Sequence, residues 1–134
     1  MIVSLHVATG AAAGAAAPSR GWAVAFGLLS HAAGDRMPHR DIPNRHFELW
    51  SGVVLLLALA VRRGPLDASV LGAAAGSCPD LEHMLPLPRP GGRKLFPSHR
   101  IRGWHRAGGV STTAQLLAAG LLLGLLLAPA ATRR

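Results

Sequence analysis

The sequence predicts an all-α protein, a small bundle of about five short helices with a long Pro/Arg-rich loop before the last one. Half of the 134 residues are hydrophobic, yet aromatics are only 4% and Tyr is absent. Ala, Leu and Gly dominate instead, and such residues suit closely packed helices better than strands. The apolar residues fall into five runs, separated by breaks rich in Pro, Gly or Arg. A chain of this length is most simply one domain, residues 1–134. The single cysteine, Cys78, excludes an internal disulfide.

The first run, residues 1–17, is interrupted only by His6. Its Ala15-Ala16-Ala17 end resembles a signal-cleavage site, but no Lys or Arg precedes the run, so a retained helix is expected. Pro18 to Gly21 form a turn. The second run, Trp22 to Ala33, leads into a polar stretch, 34–46, broken by Pro38 and Pro43. The third, Phe47 to Val61, stops at Arg62-Arg63-Gly64-Pro65. Leu66 to Cys78 is a short Ala/Gly-rich helix with Pro65 placed at its start. Residues 79–109 read as a long loop, a length usually functional or disordered. Val110 to Ala131 is almost wholly apolar and is expected to be a transmembrane helix. The other runs, about 12 to 17 residues, fall short of the roughly 20 of a typical span. They fit tilted spans, interfacial helices or helices buried in the bundle.

Alternating crossings would put Met1, the 34–46 loop and the 79–109 loop on one side, with nine Lys/Arg against five on the other. The positive-inside rule makes that side cytoplasmic, in a multi-pass protein of the cell's inner membrane. All but Lys94 of the 14 cations are arginine, a balance that points to anionic lipid, nucleic acid or phosphate-bearing substrates, lipid first in so apolar a chain.

Four groups of residues carry chemistry, and all fall on that same side. His6 stands alone on an apolar helix, as a packed residue or as a ligand. His31, Asp35 and His39 follow at intervals of four. On a helix His31 and Asp35 share a face, whereas Pro38 puts His39 on the turn that ends it. A solvated helix end with Asp35 paired to Arg36 or Arg40 is the plainer alternative. In Cys78-Pro79-Asp80-Leu81-Glu82-His83, Asp80 and His83 share a helical face, although Asp80 alone could be an N-cap. Glu82 points away from that pair and would orient a histidine. The last group, Phe96 to Arg106, holds His99, His105 and Trp104 among arginines. It is either a basic membrane-surface loop or two further ligands with arginines to hold a phosphate. Together the groups offer six histidines and two aspartates, more than one tetrahedral shell needs. Imidazole and carboxylate suit zinc, with manganese or iron also compatible, and one or two ions.

His6 with Gly10, Ser30-His31…Asp35…Pro38-His39, Cys78-Pro79-Asp80-Leu81-Glu82-His83, and His99-Arg100…Gly103-Trp104-His105 resemble the motifs of the YdjM-like family of inner-membrane-associated metal-dependent hydrolases. That family is distantly similar to zinc-dependent phospholipase C and the single-strand-specific zinc nucleases, all-helical enzymes with clustered His/Asp ligands. The resemblance covers residues 6 to about 106. Glu82 stands where the family usually has Asp. Arg102 lengthens the last motif, which lacks the Thr before His105 and the Ser after it. The resemblance implies metal ligands at His6, His31, Asp35, His39, Asp80, His83 and His105, with His99 beside them.

The expected function is a membrane-bound metal-dependent hydrolase of a phosphoester or phospholipid-type substrate, working through metal-activated water. Asp35, Glu82 and Arg100 are its candidate catalytic residues, and its partners are membrane lipid and a phosphate-bearing or ester substrate. A non-catalytic membrane metal-binding or interaction protein is the alternative, favoured by the departures in the last motif. A metal-free contact of the 89–106 loop with anionic lipid or nucleic acid comes third.

Overall fold

The computed structural model describes residues 1–128, and these are all-helical. The five main helices are α1 (Val3–Ala15), α2 (Arg20–Arg36), α3 (Arg45–Arg63), α4 (Ala68–Ser77) and, after two single-turn helices α5 (Leu81–Met84) and α6 (Pro97–Arg100), α7 (Thr112–Leu127). Helix starts follow local capping chemistry. Ser19 accepts the Trp22 amide, Asn44 the Phe47 amide at 3.0 Å, and Ser111 the Ala114 amide at 3.2 Å. The fourth helix begins later than Pro65 suggests, because Asp67 caps it by accepting the Ser69 amide at 2.9 Å.

α1 is the central helix and packs against α2, α3, α4 and α7. Its contact with α4 is backbone on backbone. A Cβ on Gly72 would stand 2.7 Å from the Gly14 Cα, and one on Gly76 would stand 2.9 Å from the His6 carbonyl oxygen. Small residues on α1, α2 and α4 thus bring three helix axes together, and the carbonyl of Gly76 reaches a side chain of α2. On the other flank Leu59 of α3 and Leu123 of α7 complete the core with Val7, Ala8 and Ala11 of α1.

The outer faces of α3 and α7 stay bare. Trp50, Val54, Leu57 and Val61 are exposed on α3, as are Leu117, Leu121 and Leu125 on α7. Among the described residues, however, no helix is long and apolar enough to cross a membrane. The transmembrane helix expected over Val110 to Ala131 forms as 16 residues, Thr112–Leu127, and residues 129–131 of that expectation lie outside the described residues. Sixteen residues rise about 24 Å, against a hydrocarbon core of about 30 Å. The helix starts late at its Ser111 cap and stops short of Pro129, which disfavours helix at the residue before it.

The 79–109 segment is broken by short turns and tied to the bundle. Trp104 donates its indole N–H to the Ala32 carbonyl at 2.9 Å. His39 donates its amide to the Arg106 carbonyl at 3.2 Å, and Val110 donates to the Pro38 carbonyl at 3.0 Å. The end of α2 and the end of the long loop therefore lie side by side at one end of the bundle.

Candidate metal centre

Each candidate ligand reaches this end of the bundle for a local reason. His6 sits one turn into α1, fully buried, with its ring stacked on His31 at 4.0 Å between centroids. α2 runs on to Arg36, so His31 and Asp35 share one helical face, with His31 Nε2 3.0 Å from Asp35 Oδ2. Pro38 follows the helix end, and His39 is held in extended backbone against Ala107 and Val110. Asp80 closes a single 3-10 turn, Cys78–Asp80, and makes no capping bond. α6 presents Ser98 and His99, and His105 follows after the helix has ended at Arg100.

The histidine tautomers are set by their partners. A carbonyl or carboxylate oxygen can only accept, so the ring nitrogen facing it carries the proton. His31 donates from Nδ1 to the Gly76 carbonyl at 2.9 Å, and His39 from Nδ1 to the Met37 carbonyl at 2.6 Å. His99 donates from Nδ1 to Glu82 Oε1. Nε2 is then the nitrogen each ring turns to the cluster: those of His31 and His99 face Asp35 Oδ2, and that of His39 faces His105, Asp41 and the Met1 amino group. His31 Nε2 and His99 Nε2 are 3.1 Å apart, and His99 Nε2 is 3.2 Å from Asp35 Oδ2. His39 Nε2 faces His105 Nε2 at 2.9 Å.

Imidazole nitrogens crowded on a buried carboxylate need a positive charge among them, which a ring proton, the Met1 ammonium or a metal ion can supply. Two ligands of a tetrahedral ion with bonds of about 2.0–2.1 Å stand about 3.3 Å apart, close to these separations. Ligand atoms within 4.8 Å of one another form four overlapping groups that could hold a metal ion: His31/Asp35/His99, Asp35/His39/His105, His6/His31/Asp80 and Asp80/His83/His99. Asp35 belongs to two of them and offers one oxygen to each side: Oδ2 to His31 and His99, and Oδ1 to His6 at 3.2 Å and to the Met1 amino group at 3.2 Å. That amino group also contacts His39.

Two buried atoms fit the same chemistry. Asp80 Oδ2 and His6 Nδ1 have no hydrogen-bond partner among the described residues. The Asp80 oxygens stand 3.8 Å from His6 Nε2 and 3.9 Å from His99 Nε2, beyond hydrogen bonding but within reach through one ion. Burial pushes the Asp80 carboxyl up to about 6. For His99, burial opposes a charge, but the hydrogen bonds to Asp35 and Glu82 outweigh it and raise the pKa, so without a metal the imidazolium, with a proton on Nε2 towards Asp35, is favoured.

Glu82 does not enter the cluster. It accepts His99 Nδ1–H and the amides of Leu95 at 2.5 Å and Phe96 at 3.4 Å, orienting the imidazole and anchoring the loop that carries it. His83 is exposed at the rim, with Nε2 on the Nδ1 side of His99 at 3.2 Å and Lys94 Nζ 3.4 Å from its Nδ1. Burial and the neighbouring charges on His99 and Lys94 lower its pKa to about 4. Arg100 turns away, donating from Nε to the Lys94 carbonyl, and does not line the cavity.

Asp35, Asp80, His83, His99 and His105 line an open cavity of about 460 Å³, whose cationic side chains are Arg45 and Lys94, while His6, His31 and His39 lie behind that lining. Sequence reasoning singled out neither. It also missed Ser98, which donates to Asp35 Oδ2 at 3.2 Å, and Asp41, 3.2 Å from His39 Nε2. Ser98 adjoins His99, which was its one signal. Glu48 and Gln115 gave none: they accept the amides of Val3 at 2.7 Å and Ile2 at 3.1 Å and so fix the start of α1.

Comparison with known protein families, curated proteins and solved structures finds no match to this chain.

Proposed function

We propose that this cluster is a two-cation centre, most simply zinc, bridged by Asp35, and that the protein hydrolyses an ester or phosphoester bond at it. The observation that carries the reading is the convergence of imidazoles on Asp35: Nε2 of His31 and His99 lie 3.0 and 3.2 Å from its Oδ2, His39 and His105 lie within 4.8 Å of it, and oxygen acceptors at Nδ1 orient His31, His39 and His99. Divalent ions bound there would supply Lewis acidity and an acidified water near neutral pH. The chain's own residues do the rest. Asp35 with His31 and His99 would hold one cation, and Asp35 with His39 and His105 would hold the other. Asp80 and His6 border the first. Glu82 keeps His99 in the ligating tautomer, and Arg45 and Lys94 hold the substrate's anionic group at the cavity mouth. The resemblance to the YdjM-like hydrolases points the same way.

The bare outer faces of α3 and α7 support a place at the inner membrane, with the cavity on the cytoplasmic side and lipid against those helices. Elemental analysis of detergent-purified protein tests the centre: metal is expected in the native chain and lost in Asp35→Ala. Chelator-sensitive hydrolysis of a simple phosphodiester tests turnover. Metal without turnover would leave a binding protein, and no metal in the native chain would sink the reading.

A further inference from the structure

A second cavity adjoins the first. It measures about 260 Å³ and lies between α3 and the α1–α4 pair, lined by Val3, Leu49, Val53, Leu56, Ala74 and Met84, with Asp80 at its junction with the metal centre. Val3, Asp80 and Met84 line both spaces. The two have opposite character: the first is lined by charged and polar groups, among them Asp35, Asp41, Glu48, His99, Arg45 and Lys94, whereas the second is almost wholly hydrocarbon. Its shape comes from α3. Gly52 lets that helix close on Val3, since a Cβ there would meet Val3 Cγ1 at 2.5 Å, while Leu49, Val53 and Leu56 hold the wall farther out.

We infer that the substrate is an amphiphile: its anionic ester group sits at the cluster between Arg45 and Lys94, and one alkyl chain runs past Asp80 into the α3–α4 groove. This rests on the proposed hydrolytic site. Charge at one end and an apolar trench adjoining it match a single-chain alkyl phosphoester better than a sugar phosphate or a nucleotide, whose polar groups would be stranded against Leu49 and Val53. The groove adds affinity by removing methylenes from water, about fourfold per CH₂ at about 0.8 kcal/mol.

Binding of n-alkyl phosphates, from methyl to decyl, to the zinc-loaded full chain tests this by calorimetry below each ligand's micelle concentration. Affinity is expected to climb severalfold per carbon and then level off once the groove is full. Val53→Phe and, independently, Ala74→Phe should flatten the climb while leaving methyl phosphate binding unchanged. Leu121→Ser, on the bare outer face of α7, should leave the climb intact. Zinc-dependent methyl phosphate binding with no gain along the series overturns the groove and spares the metal site. A gain that survives both groove-filling variants places the chain on the outer surface and also overturns it. Absence of zinc-dependent methyl phosphate binding, with a chain-length gain that the Phe variants remove, keeps the groove and defeats the hydrolytic site instead.

Discussion

The cluster is built from two halves that are held in different ways. His6, His31 and Asp35 stand on α1 and α2, helices locked against α4 by backbone contacts at Gly72 and Gly76. Asp80, His83, His99 and His105 come from the 78–106 segment, held by a few hydrogen bonds: the Leu95, Phe96 and His99 donors to Glu82 within the segment, and single bonds to the bundle from Trp104 and the His39 amide. The first half is placed by packing, where a misfit is felt at once. The second is placed by a few polar anchors, which open more readily. A cation binding both halves would therefore draw most of its folding linkage from the loop, and each half should fail in its own way.

The largest effect is expected at the residue both halves share. Asp35→Asn keeps the shape but removes the bridging charge, and metal content measured by plasma mass spectrometry should fall to near zero. Retention of the native content would show that Asp35 is not the bridge. Next comes the loop anchor. Glu82→Gln should weaken metal affinity by about 10–100-fold, measured by competition with a chelating dye, with little loss of helicity. An unchanged affinity would mean that His99 is held without it.

The packed half should respond in stability rather than affinity. Gly72→Ala places a Cβ against backbone that cannot yield, and should cost about 1–3 kcal/mol or more in chemical denaturation. Gly120→Ala on α7 meets nothing within 4 Å and should instead stabilise by about 0.5–1 kcal/mol. Equal effects at the two glycines would erase the contrast.

The smallest effect is a pH slope. Burial raises Asp80 from 3.8 to about 6, so between those values the folded metal-free protein holds a proton that the unfolded chain has released. Stability from Asp80 is thus present below its unfolded pKa and lost as pH rises through about 6. Metal must expel that proton, so affinity should fall by up to about tenfold per unit below pH 6. In Asp80→Asn the slope should shrink by about one proton in titrations at pH 5 to 6. An identical slope would place the proton elsewhere.

Much of this was legible beforehand because it is local. Helical class, five main helices, the shared face of His31 and Asp35, and the departure of His39 onto a turn all follow from spacing and from Pro38 within a few residues. The starts of α7 and α4 were misjudged because caps at Ser111 and Asp67 outweighed the apolar run and Pro65. What only the tertiary structure decided is who meets whom: that Glu82 serves His99, that Arg45 and Lys94 rather than Arg100 line the cavity, and that an apolar groove adjoins it at Asp80. These contacts join residues 17 or more positions apart, or, for Arg100, depend on where one flexible arm finds an acceptor. Sequence spacing constrains neighbours along one helix. The approach of helix backbones at Gly72 and Gly76 brings α1, α2 and α4, and the ligand atoms that α1 and α2 carry, to a common point.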